Sequence, residues 1–112
     1  LNEYEKNMRK YAKKVYTVSK LNSDIKKLLE NNFTLVWIFG EISNFKMPSS
    51  GHHYFTLKDK ESQISCVMFL GQNRNLKFLP EDGMKIKGFG RIALYEPRGT
   101  YQIIFEYIEP DG

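Results

Sequence analysis

The spacing of apolar residues changes character once along this chain, near position 35. Upstream of it, apolar side chains recur every three or four residues. Tyr4, Met8, Tyr11 and Val15 form one such stripe on a helix otherwise rich in lysine. A second helix is predicted over 19–30. Thr17 or Ser19 can cap it, Leu21, Ile25, Leu28 and Leu29 share one face, and Asn31-Asn32 can end it. A stripe of that kind has to be covered, and the economical place is over one opening of a barrel.

Downstream of position 35 the period is two. Over 35–45, Val36, Ile38, Gly40 and Ile42 face one way and Trp37, Phe39, Glu41 and Ser43 the other. Gly40 inside this run predicts a bulge or a sharp bend, as where one strand serves two sides of a barrel. The helix at 19–30 is the expected cover for Trp37, and the fate of Phe39 stays open. Residues 47–51 read as a loop, 52–58 as the second strand, 59–61 as a turn and 63–69 as the third strand. In that third strand the parity of Ile64, Cys66 and Met68 against Ser65, Val67 and Phe69 is ambiguous. Residues 71–79 suit a short helix or irregular connector around Leu76 and Phe78, and 80–83 a turn. The stretches 84–95 and 100–108 then form a hairpin closed by 96–99.

Five strands with the longest connector after the third match the oligonucleotide-binding (OB) fold, a mainly β barrel, preceded here by a helical segment. An SH3-like barrel is the rival, and it ranks lower because of the glycine within the first strand and the position of the connector. With 112 residues the chain makes one domain. Its parts are a basic N-terminal arm over 1–14 and the barrel with its leading helix over 15–112.

Charge alters this picture mainly at the N-terminus. The formal +4 is concentrated in Lys6, Arg9, Lys10, Lys13, Lys14, Lys20, Lys26 and Lys27, while the remainder is close to neutral. Whether the arm is native is open, because Met8 can serve as an initiator with tag-derived residues before it. One cysteine excludes an internal disulfide framework, and Cys66, within a β-run, reads as a small core residue. No apolar run approaches the ~18 residues that span a bilayer, so no membrane partner is expected.

Candidate chemistry points to binding. Single-stranded nucleic acid needs flat side chains for stacking and cations that follow the phosphates. In the second strand His53, Phe55 and Leu57 form the more apolar face, which sends Tyr54 and Lys58 outward, where an OB barrel holds oligonucleotides. The adjoining loop adds Phe45, Lys46, Ser49, Ser50 and His52, and the last hairpin adds Arg98 at its tip. Phe39 and Phe69 are further candidates. No catalytic, metal or cofactor site is expected. His52 and His53 are strand neighbours that project oppositely, one cysteine cannot make a zinc cluster, and Glu41, Asp59 and Glu61 suit exposed or turn positions. A phosphate-cradling glycine loop is missing as well.

Several segments together resemble the N-terminal region of the exodeoxyribonuclease VII large subunit family. They are Tyr16-Thr-Val-Ser-Lys-Leu-Asn22, Leu35-Val-Trp-Ile38, Gly40-Glu-Ile-Ser-Asn-Phe45, Pro48-Ser-Ser-Gly-His52 and Tyr54-Phe-Thr-Leu-Lys-Asp59. Further on, Cys66-Val-Met-Phe69, Asp82-Gly-Met84, Leu94-Tyr-Glu-Pro-Arg-Gly99 and Tyr101-Gln102 continue the likeness, which covers Val15 to the C-terminus. The resemblance implies an OB domain that binds single-stranded DNA for a cytoplasmic bacterial exonuclease. It places the nuclease chemistry in a domain after Gly112 and the small subunit on regions outside this chain. Phe39 departs from the family, which often has an acidic residue there. Two alternatives are an RNA-binding domain of the anticodon-recognising kind and a protein-interaction domain, with residues 1–14 mediating self-association.

Overall fold

The computed structural model describes residues 1–11 and 15–112. Two helices come first, α1 (Glu3–Tyr11) and α2 (Val18–Asn32). Val15, expected to extend the first stripe, lies beyond α1 and is exposed, and Lys13 and Lys14 of the arm fall outside the described residues. Thr17 caps α2, its hydroxyl oxygen accepting the Lys20 N–H at 3.0 Å. No helix among the described residues is long and apolar enough to cross a membrane.

The strands are β1 (Val36–Lys46), β2 (His53–Lys58), β3 (Gln63–Met68), β4 (Lys85–Tyr95) and β5 (Thr100–Pro110), with a one-turn helix α3 (Leu70–Asn73) after β3. They close in the order β1-β2-β3-β5-β4, the expected five-stranded OB barrel. Four seams are antiparallel, and the closing β3–β5 seam is parallel with two residue pairs, Cys66 with Ile103 and Val67 with Ile104. Ile42, Phe55, Leu57, Met68, Ile86 and Phe105 are among the side chains that fill the interior. The ambiguity in the third strand is resolved, with Ile64, Cys66 and Met68 turned toward the core. Burial pushes the Cys66 thiol up to about 12.

β1 serves two partners. Its first half pairs with β4 and its second with β2, and Glu41 stands opposite both Lys85 and Lys58. Gly40 marks this switch through close approach and not through a bulge. A Cβ there would lie 2.8 Å from Leu57 Cγ and 2.9 Å from the Lys58 carbonyl oxygen. The bulge comes later, between Ser43 and Lys46, where Asn44 takes φ +54° and Asp82 Oδ1 accepts the Phe45 N–H at 2.8 Å. It rotates Phe45 out of the expected groove and onto the core, edge-on to His53 at 5.0 Å.

The helix stripe is covered only in part. β1 pairs with β4 as far as Gly90, so the next β4 amides facing that edge need other acceptors. The Phe33 carbonyl takes the Ile92 N–H at 3.0 Å, and Glu30 Oε2 takes the Leu94 N–H at 3.1 Å. Asn22 Nδ2 donates to the Glu96 carbonyl at 3.0 Å. These bonds turn the polar side of α2 toward β4. Leu29 reaches the core, while Leu21, Ile25 and Leu28 remain exposed. Trp37 is not beneath α2 either. It is 59% exposed and packs on Phe89 of β4, ring centroids 4.9 Å apart.

Candidate nucleic-acid interface

Register across β1, β2 and β3 arranges the outward side chains in rows. Lys46 and Tyr54 make one row, whose β3 position is the buried Val67, Ser43, Thr56 and Ser65 make the next, and Glu41, Lys58 and Gln63 the third. The face therefore runs from an aromatic end, over three hydroxyls, to a charged end. Tyr54 and Lys58 point outward as their strand parity requires, about 13 Å apart by strand rise.

The aromatic end is built by two elements beyond the strands. His52 Nδ1 accepts the Leu70 N–H at 3.0 Å, which leaves the proton of the neutral ring on Nε2. Its ring stands edge-on to Phe69 at 5.1 Å and to Tyr54 at 6.4 Å. Behind it, buried Asn73 donates from Nδ2 to the carbonyls of Gly51 (2.8 Å) and Met68 (3.0 Å), tying the β1–β2 loop to the turn after β3. Four candidates, His52, Tyr54, Phe69 and Lys46, thus come together at one corner. Lys46 makes no ion pair among the described residues.

At the other end Lys58 Nζ lies 3.6 Å from Glu41 Oε2, an exposed pair worth roughly 0–1 kcal/mol. Lys58 lines a groove of about 550 Å3 with Phe39, Lys60 and Lys85. Phe39 is 74% exposed, an apolar ring left in water. Arg98 joins neither end. It tips the β4–β5 hairpin, where the Gly99 N–H bonds the Tyr95 carbonyl at 2.9 Å and Asn22 holds the turn to α2. Tyr101, three residues on, reaches a neighbouring depression beside Phe39 and Lys58.

Sequence reasoning missed the hydroxyl row, Tyr101, and the placement of Lys60 and Lys85. Strand parity identifies a face, but rows depend on register, which the bulge at 43–46 shifts by one residue. Among the described residues no three His, Cys, Asp or Glu side chains gather as metal ligands. Asp59 instead closes the β2–β3 turn. Its Oδ1 accepts the N–H groups of Glu61 and Ser62, both at 2.8 Å, and these bonds hold the carboxyl below the usual range. What the face offers is stacking, hydrogen bonding and charge neutralisation.

The model of the OB-fold nucleic acid binding domain family matches residues 16–109. The exodeoxyribonuclease 7 large subunit of Vibrio cholerae serotype O1 is 53% identical over 98 residues, which are 88% of this chain and 22% of that protein. Its counterpart from Geotalea uraniireducens is 56% identical over 100 residues, 89% of this chain and again 22% of the relative. The chain thus spans 22% of the length of these curated relatives. Among solved structures, a replication protein A heterotrimer bound to ssDNA superposes with a TM-score of 0.57. That match covers 70% of this chain and 58% of the other at 10% identity, a likeness of fold.

Proposed function

Since this chain belongs to the OB-fold nucleic-acid-binding domain family, we propose that it holds single-stranded DNA on the β1–β2–β3 face as part of an exodeoxyribonuclease 7 large subunit. The observation that carries this is the corner of His52, Tyr54 and Phe69 beside Lys46, opening onto a row of hydroxyls. Rings stack on bases without regard to sequence, which suits a nuclease substrate. Lys46 and Lys58 neutralise phosphates on the face, Arg98 does so where the DNA leaves the face for the β4–β5 hairpin, and Phe39 extends the stacking surface. Hydrolysis to oligonucleotides belongs to another part of the longer polypeptide, as does the contact with a small subunit, and the setting is the bacterial cytoplasm.

A labelled oligothymidine titrated at several salt concentrations tests this reading. The three cations give a slope of log K against log[salt] near −2, at about −0.7 per phosphate. A chain that fails to bind at low salt overturns the proposal, and an RNA oligonucleotide that competes better than DNA of equal length redirects it to RNA. Exposed Tyr4 and Met8 on α1 support a second role for residues 1–14 in self-association. Sedimentation with and without those residues decides it, since only the longer form should associate.

A further inference from the structure

The outward relief does not stop at the β1–β2–β3 face. Because Glu41 pairs both ways, the row Gln63–Lys58–Glu41 continues onto β4 as Lys85. From Glu41 the outward residues of β1 lead away from the face to Phe39 and then Trp37, roughly 13 Å along the strand. Phe39 lines three adjoining depressions. One contains Lys58 and Lys60, one Gln63 and Tyr101, and one Trp37 and Lys87. Sharing that ring, the three are taken together as one trough, and at Trp37 it meets a ladder of aromatic side chains. Trp37, Phe89 and Tyr107 occupy paired positions on β1, β4 and β5. The Phe89 centroid lies 4.9 Å from that of Trp37 and 5.7 Å from that of Tyr107.

We propose that single-stranded DNA too long for the β1–β2–β3 face continues through this trough and stacks on the Trp37–Phe89–Tyr107 ladder. The inference rests on the reading that the chain binds single-stranded DNA at all. Continuity selects the occupant, because the trough opens directly from the row that holds Lys58. Its borders supply cations. Lys60 and Lys85 make no ion pair among the described residues, and Lys87 Nζ stands 3.6 Å from Glu109. Of the bordering carboxylates, Asp59 is engaged by two backbone N–H groups, Glu41 by Lys58, and Asp111 faces the trough. The exposed ring faces accept bases of any identity.

Trp37 is the single tryptophan and so reports on this track directly. Oligothymidines from about 4 to about 16 nucleotides, the range of OB-fold site sizes, are titrated at low salt. Anisotropy of a label on the DNA is followed together with tryptophan emission. The shortest oligonucleotides should bind with little change in emission, and the longest should quench it strongly. Trp37→Ala and Tyr107→Ala should each weaken binding of the longest oligonucleotide roughly fivefold or more and leave the shortest unchanged. Long DNA that binds without quenching, with affinity unaltered in both variants, overturns the track and leaves the function standing. A shift of emission with protein concentration alone marks a protein interface at the ladder and also overturns it. No anisotropy change at any length overturns both.

Discussion

Tyr54 is the side chain whose loss should matter most for binding and least for the fold. Its ring is 39% exposed at the centre of the aromatic corner, so Tyr54→Ala should weaken single-stranded DNA binding by about 1–3 kcal/mol. Thermal melting of the variant should stay close to that of the parent, and an unchanged affinity would remove Tyr54 from the site. Its neighbour His53 behaves in the opposite way. It points inward, is 5% exposed, and its Nδ1 has no hydrogen-bond partner. Burial therefore holds the imidazole below its ordinary 6.5. On acidification the unfolded chain takes up this proton near pH 6.5 and the folded chain only at lower pH. Stability accordingly falls as pH drops below about 6.5, until the folded value is passed. His53→Phe should lose less melting temperature than the parent between about pH 7.5 and about pH 5.5, and equal losses would exclude His53 as the source. The inward and outward turns of these neighbours were legible, because a strand alternates with period two. The orphaned Nδ1 was not, since it depends on which groups the fold brings around the ring.

Helix α2 shows how an element can be read correctly and still be docked on another side. Its cap at Thr17 and its extent follow from local chemistry, and 19–30 lies within the observed Val18–Asn32. Periodicity says which side chains share a face, not which face meets the barrel. Here the unpaired edge of β4 sets the docking, because Ile92 and Leu94 amides buried without acceptors would cost about 1–3 kcal/mol each. Glu30→Ala should destabilise the fold by about 1–3 kcal/mol, with Glu30→Gln retaining much of the bond. Denaturant melts measure both, and an Ala variant as stable as the parent would mean that water replaces the carboxylate at Leu94. Strand β1 carries the same lesson. The alternation from Val36 to Ser43 was legible, but the bulge at 43–46 answers to the register with β2 and to Asp82, 37 residues from Phe45, and moved Phe45 onto the core.

At the scale of the molecule, strand count, the glycine within the first strand and the position of the long third connector were enough to name the barrel. How such a barrel sits in proteins the length of its curated relatives was not legible, since the chain spans 22% of theirs. Because the proposed chemistry lies elsewhere, labelled single-stranded DNA incubated with this chain should remain full length on a denaturing gel, and processive shortening would place a nuclease here. The barrel closes through the two residue pairs of the parallel β3–β5 seam, and one of those residues is Cys66. A seam this short is where the closed cylinder can open into a curved sheet at the least cost, with the other four ladders intact. The only thiol of the chain is therefore a clock set into the latch. A thiol reagent can reach it only while the latch is undone, so its labelling rate counts those openings, and DNA gripping β2 and β3 should slow the clock.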